Sequence, residues 1–182
     1  NVLISGRNIK HLDKKIKKLK IKFKSKVDFV NGDVIKNSTM KRMNSINKKK
    51  WKKLDGIVAN AGLGKNKTEN FFSEKDFLWY QKHNFLTSYN FVNYFIEDLK
   101  KTQGSIIFIS SIASLKDVGA PFGYSSAKLS VNLYSKFLAS KYAKYNIRVN
   151  NIIPGNFYFE GGAWDKKKKL NPRKIKRFIK EN

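Results

Sequence analysis

A chain of 182 residues is the size of one domain, and its 41% hydrophobic and 14% aromatic content is enough for a packed core. The absence of cysteine excludes disulfides and thiol chemistry, while no apolar run approaches the ~20 residues of a bilayer span and no signal peptide is visible, which makes the cytoplasm the default location. A formal charge of +26 raises nucleic acid or an anionic membrane as partners, yet the lysines are scattered from Lys14-Lys15 through Lys48-Lys49-Lys50 to Lys166-Lys167-Lys168-Lys169 and accompany abundant Asn and Ile, as AT-rich codons produce, so no nucleic-acid partner is expected.

Strand and helix signals alternate along the chain. Residues 1–5 predict a strand, and Leu12, Ile16, Leu19 and Phe23 recur at the three- and four-residue spacing of an amphipathic helix. Val27-Asp28-Phe29-Val30 predicts the next strand, followed by a charged helix near 36–47 and a strand over 54–59. The Gly62-Leu63-Gly64 turn leads into a polar loop. Residues 74–101 are expected to form one long helix whose stripe of Phe77, Phe85, Tyr89, Phe91, Val92, Phe95 and Leu99 serves core and subunit interface rather than base stacking. Residues 105–110 predict a strand buried on both faces, 122–145 a helix with Leu129, Leu133, Phe137 and Leu138 turned inward, and 147–153 a last strand before Pro154. The tail beyond about 165 is basic, with one short apolar repeat of Ile175 and Phe178-Ile179. The alternation argues for an α/β fold with a parallel sheet and crossover helices.

The chemistry is concentrated in Tyr124-Ser125-Ser126-Ala127-Lys128, with Ser111 thirteen positions before Tyr124. Residues four apart share one helix face, so the Lys128 ammonium can stand near the Tyr124 phenol and favour its phenolate, which a Tyr acid/base requires. Ser111 supplies a hydroxyl to polarise a carbonyl. His11 and His83 read as surface or packing residues, since no cluster with metal-ligand spacing accompanies them and no metal is expected.

Together with four further motifs, this pattern resembles the short-chain dehydrogenase/reductase family, in its single-domain, 3-oxoacyl-carrier-protein-reductase-like branch. Ala59-Asn60-Ala61-Gly62 follows an apolar run as the family's Asn-Ala-Gly motif does, Asn84 matches the helix asparagine of its catalytic tetrad, Gly32-Asp33-Val34 matches its adenine contact, and Ile147 to Pro154-Gly155 matches the strand beside the nicotinamide. The resemblance implies a Rossmann-like doubly wound parallel sheet with helices on both faces, and a small-molecule carbonyl or alcohol substrate. It also implies a homodimer or homotetramer. Asn84, Ser111, Tyr124 and Lys128 are the implied catalytic set. Arg7, Asp33, Val34, Asn60, Ala61, Gly62, Pro154 and Gly155, with Tyr124 and Lys128, are the implied cofactor contacts. Asp33 could also cap the following helix. At the end of the strand over 1–5, Ser5-Gly6-Arg7 holds no acid where the family places one for NAD, and Arg7 can pair with a 2′-phosphate, so NADP is favoured over NAD.

The family's opening strand and Gly-rich turn, which hold the cofactor pyrophosphate, have no counterpart here. Residues 1–160 therefore read as an incomplete nucleotide-binding and catalytic domain, truncated at its N-terminus, and 161–182 as the basic start of a substrate-covering region. In the family's strand order 3-2-1-4-5-6 the missing strand is central, so the strands at 1–5 and 27–31 are expected to lose their link to the other three. The segment after Pro154-Gly155 departs from the family's pattern, which leaves substrate identity unread. A non-catalytic member of the family is the alternative, and a basic nucleic-acid binder a more remote one.

Overall fold

The computed structural model describes residues 1–9, 13, 16, 17, 19, 21, 26–64, 73–158 and 162–181. Leu12, Phe23, His11, most of the polar loop and residues 159–161 lie outside these. Five strands are described: β1 Val2–Gly6, β2 Val27–Asn31, β3 Gly56–Ala59, β4 Ser105–Ile109 and β5 Arg148–Ile152. All pairings are parallel, and crossover helices join the strands as parallel pairing requires. These are α1 Asn37–Lys50, α2 Glu74–Tyr80, α3 Thr87–Thr102 and α4 Phe122–Tyr142; α5 Ala163–Leu170 and α6 Pro172–Glu181 follow the last strand.

The strands form two separate sheets, β1 with β2 and β3-β4-β5, so the expected break between the two blocks is present. Met40 and Met43 of α1, Ile57 of β3, Phe95 and Leu99 of α3, Phe108 of β4 and Val131 of α4 share one buried core, which ties the blocks together through helices rather than strand pairing. On the other side of β1 and β2, Ile16 packs with Val27, and Ile4, Leu19 and Phe29 surround them. Because successive strand side chains alternate between faces, Leu3 joins the first core and Ile4 the second.

Three expectations change. Residues 105–110 are not buried on both faces: Ile106 and Phe108 are fully buried, whereas Ile107 and Ile109 are half-buried, because α1, α3 and α4 all cover the same side of β3-β4-β5. In α4, Leu138 is buried, but Leu129, Leu133 and Phe137 are 53%, 70% and 58% exposed. The inward positions are Ala127, Lys128, Val131, Asn132, Ser135 and Leu138, whose smaller side chains let the helix lie close to the sheet. The long helix over 74–101 is interrupted by a π turn at Gln81–Leu86. Its stripe divides accordingly: Val92, Phe95 and Leu99 are core, whereas Phe77 and Tyr89 are substantially exposed.

Between the unpaired edges of β1 and β3 runs a cavity of about 600 Å³, lined on its helical side by Met43, Trp51, Phe91 and Phe95. Among the described residues no helix is long and apolar enough to cross a membrane.

Candidate active site at the strand carboxyl ends

Every expected site residue follows the carboxyl end of a strand or lies on a helix packed beside one, where ligands bind in open parallel sheets. Lys128 is the anchor. It is 5% exposed, its Nζ donates to the Ile109 carbonyl at 2.8 Å, and Nζ stands 5.9 Å from the centre of the Tyr124 ring one turn earlier. A neutral carbonyl does not compensate a buried charge, so burial pulls the Lys128 ammonium down to about 8.

Asn84 is fully buried at the π turn. Its Oδ1 accepts from Leu63 N–H at 2.9 Å, while Nδ2 donates to the Leu63 and Tyr80 carbonyls at 3.2 Å each. A π turn shifts the helix hydrogen-bond register, and the side chain of Asn84 takes up the Tyr80 carbonyl. The loop after β3 is thereby clamped to the helix. Gly62 is required in that loop, since a Cβ there would stand 2.9 Å from Asn84 Oδ1 and 3.4 Å from Lys128 Nζ. Gly62, Asn84, Tyr124 and Lys128 are thus brought together.

Ser111 caps the short 3-10 turn Ile112–Ser114, its Oγ accepting from Ala113 N–H at 3.3 Å. Pro154 is drawn beside this turn by its carbonyl, which accepts from Ile112 N–H at 2.9 Å. Gly155 is exposed, with nothing within 4 Å of where a Cβ would stand, so space does not require glycine there. Asn60 and Ala61 are exposed on the loop after β3.

Across the cavity, Arg7 and Asp33 form a second group, Arg7 Nη1 lying 4.0 Å from Asp33 Oδ2. Asp33 does not cap α1: its Oδ1 accepts from Ile35 N–H at 3.1 Å, and the helix begins after Lys36 without a side-chain cap. Val34 is buried in the main core. The structure therefore gathers the candidate residues into two clusters, one on each side of the slot.

Several supporting residues escaped the sequence reading. Thr87 Oγ1 donates to the Ala61 carbonyl at 3.1 Å, holding the same loop as Asn84 does. Asn151 Nδ2 donates to Asn132 Oδ1 at 2.7 Å, Asn132 Nδ2 to Ser114 Oγ at 2.7 Å, and Ser114 Oγ to the Ser111 carbonyl at 2.6 Å. Ser110 Oγ donates to the Lys128 carbonyl at 3.1 Å. These bonds lock the ends of β4 and β5 to α4. The available signal was spacing: Thr87 lies three residues after Asn84 and Asn132 four after Lys128, so each shares a face with its functional neighbour.

The chemistry of the donor set fits a nicotinamide dinucleotide in part. The buried Lys128 cation, the glycine-lined loop and the Arg7 guanidinium suit the two ends of such a molecule, but the sequence supplies no Gly-rich turn for its pyrophosphate.

Comparison with known proteins gives the same picture. The short chain dehydrogenase family profile matches residues 1–168. A 3-oxoacyl-[acyl-carrier-protein] reductase of Chlamydia muridarum is 31% identical over 156 residues, covering 85% of this chain and 63% of that protein. An L-fucose dehydrogenase of Rattus norvegicus is 29% identical over 131 residues, covering 71% of this chain and 48% of that protein. The crystal structure of L-sorbose reductase from Gluconobacter frateurii, complexed with NADPH and L-sorbose, superposes with a TM-score of 0.86 at 24% identity, covering all of this chain and 70% of the other. The chain thus spans about half to two thirds of the length of the curated relatives it matches. With a family match along most of its length and a Rossmann-like fold of parallel strands and crossover helices, the chain belongs to the short-chain dehydrogenase family.

Proposed function

We propose that the protein is an NAD(P)-dependent oxidoreductase that interconverts a carbonyl and a secondary alcohol. The observation that carries this reading is the Lys128 ammonium, buried between the Ile109 carbonyl and the face of the Tyr124 ring. A nicotinamide cofactor, when bound, supplies the hydride. Tyr124 gives its phenolic proton to the oxygen that becomes the alcohol, and takes it back in the oxidative direction. Ser111 donates a hydrogen bond to that oxygen, in the manner of an oxyanion stabiliser. Lys128 places a positive charge beside the phenol that gives up its proton, and also binds the nicotinamide ribose. Asn84 Oδ1 and Lys128 Nζ retain hydrogen-bonding capacity after their protein bonds are made. A water held by both would return the proton from solvent.

Lys128→Met separates function from folding. Because the folded-state value of Lys128 lies below its ordinary value, the native fold binds fewer protons there. The cost of keeping the ammonium buried is complete below about pH 8 and relieved as pH rises toward the ordinary lysine range. That cost is about 3 kcal/mol, partly offset by the bond to Ile109. In the complete protein the variant is expected to lose carbonyl-dependent NADPH oxidation by about a hundredfold or more, with an unfolding midpoint at neutral pH equal to or above the original. Activity retained within a few-fold would contradict the assignment.

NADP is the favoured cofactor on the strength of Arg7, whose side chain is 57% exposed and, though 4.0 Å from Asp33, offers a guanidinium that suits a 2′-phosphate. Arg7→Asp is expected to move the NADPH-to-NADH preference by about tenfold or more toward NADH, the loss of roughly one charge-assisted hydrogen bond. An unchanged ratio of kcat/KM values would remove Arg7 from this role.

The exposed apolar stripe Leu129, Leu133 and Phe137 on α4 supports a homodimer or homotetramer. Leu133→Glu is then expected to lower the mass seen by light scattering, and a monomer before the change would refute the assembly.

A further inference from the structure

Ser111 carries the hydroxyl that the proposed chemistry points at the substrate oxygen, and its direction is set by groups outside that chemistry. Ser111 Oγ accepts from Ala113 N–H at 3.3 Å, which leaves the hydroxyl hydrogen available for donation. That bond spans the 3-10 turn Ile112–Ser114. Ser114 closes the turn twice over, its N–H and its Oγ donating to the Ser111 carbonyl at 2.9 and 2.6 Å. Backbone bonds in a 3-10 turn have poor geometry, so the bond from the Ser114 side chain decides how firmly Ser111 is held.

A serine hydroxyl has one hydrogen and rotates to suit its neighbours. Asn132 decides where this one goes. Asn132 Nδ2 donates to Ser114 Oγ at 2.7 Å, so the hydroxyl meets a donor on that side and turns its hydrogen to the Ser111 carbonyl. The other oxygen nearby, Ser110 Oγ, lies farther off at 3.4 Å and points its own hydrogen at the Lys128 carbonyl. Asn151 fixes which way round the Asn132 amide lies, because its Nδ2 donates to Asn132 Oδ1 at 2.7 Å. The donors therefore run in one direction, from β5 through α4 to the turn. Asn132 is 8% exposed and stands one turn after Lys128 on the inward side of α4. An apolar side chain there would avoid the cost of burying an amide. It would also leave the Ser114 hydroxyl without its donor.

We propose that Asn132 is a positioning residue for Ser111: it holds the Ser114 hydroxyl on the Ser111 carbonyl and so fixes the turn that presents the Ser111 hydroxyl to the substrate oxygen. This role rests on the oxidoreductase reading above.

The test measures kcat and KM per NADPH-binding site, with the small ketone or aldehyde that the protein reduces fastest, for Asn132→Ala, Ser114→Ala, Ser111→Ala and their pairs. Counting sites by bound NADPH removes any misfolded fraction. Ser111→Ala is expected to lower kcat by about a hundredfold. Asn132→Ala and Ser114→Ala should each lower it by about tenfold, the worth of one neutral hydrogen bond, with the KM for NADPH changed by no more than about twofold. The pairs are decisive, because changes at residues that act through one another do not add. Asn132→Ala combined with Ser114→Ala should match the more severe of the two single variants. In the Ser111→Ala background, which has no hydroxyl to direct, Asn132→Ala should cost less than about twofold more. A loss of packing alone would instead multiply with the Ser111→Ala effect. Ser114→Ala removes a single oxygen and answers the same question if Asn132→Ala, which also strips Asn151 of its partner, folds poorly. Multiplicative losses in the Ser111→Ala background, or an unchanged kcat in both single variants, would overturn the positioning role and leave the oxidoreductase reading standing. Failure of the unaltered protein to reduce any carbonyl compound with NADPH would overturn both.

Discussion

Tyr124→Phe in the complete protein is expected to lower carbonyl reduction by about a hundredfold to ten-thousandfold, the range that a positioned proton donor supplies. NADPH binding should change by no more than about twofold, since the substitution removes one oxygen and leaves the ring. The ring is what the surroundings grip. It stands edge-on to Tyr80 with centroids 6.4 Å apart, and the Lys128 Nζ lies 5.9 Å from its centre. Steady-state kinetics beside a fluorescence titration of NADPH separate the two effects. Turnover within a few-fold of the original enzyme would remove Tyr124 from the proton-transfer step.

The second large effect concerns residues 1–182 as an isolated chain. Two strand edges without partners leave a row of backbone groups and flanking apolar side chains beside an open slot. At about 25 cal/mol per Å², every 100 Å² of apolar surface left uncovered forgoes about 2.5 kcal/mol. A domain holds only ~5–15 kcal/mol of net stability, so a few hundred Å² is enough to consume it. We expect scanning calorimetry on the isolated chain to give no cooperative transition, and tight NADP binding to be absent. A single sharp transition with equal calorimetric and van't Hoff enthalpies, together with micromolar cofactor affinity, would refute this expectation.

The division of the strands into two blocks was legible because the family resemblance implies the order 3-2-1-4-5-6, in which β1 and β2 are joined to the other three only through the family's first strand. The meeting of Gly62, Asn84, Tyr124 and Lys128 was legible because the motifs occur in a fixed order and helical spacing puts Tyr124 and Lys128 on one face. The inward face of α4 was misread for a physical reason. Leu129, Leu133 and Phe137 form a more hydrophobic stripe than Ala127, Lys128, Val131, Asn132 and Ser135, yet the smaller, more polar stripe is the one that faces the sheet. Hydropathy ranks transfer from water and says nothing of how closely a helix must approach its neighbour or of buried hydrogen bonds that satisfy Asn132. The π turn at Asn84 leaves no mark in residue type, because it accompanies a side chain that takes up the Tyr80 carbonyl one turn earlier and bonds Leu63 across the fold. Of the Asn151, Asn132 and Ser114 chain only Asn132 carried a signal, its spacing from Lys128, because the members come from three separate segments.

The central claim is hydride transfer at a carbonyl beside Tyr124. Its most direct measurement incubates the protein with NADPH carrying deuterium at the transferable ring position and a panel of small-molecule carbonyl compounds, followed by mass spectrometry of the alcohol. Deuterium on the former carbonyl carbon of at least one product, lost with Tyr124→Phe, is the predicted result. Alcohol formed without deuterium at that carbon, or label transfer that persists unchanged in Tyr124→Phe, would contradict it.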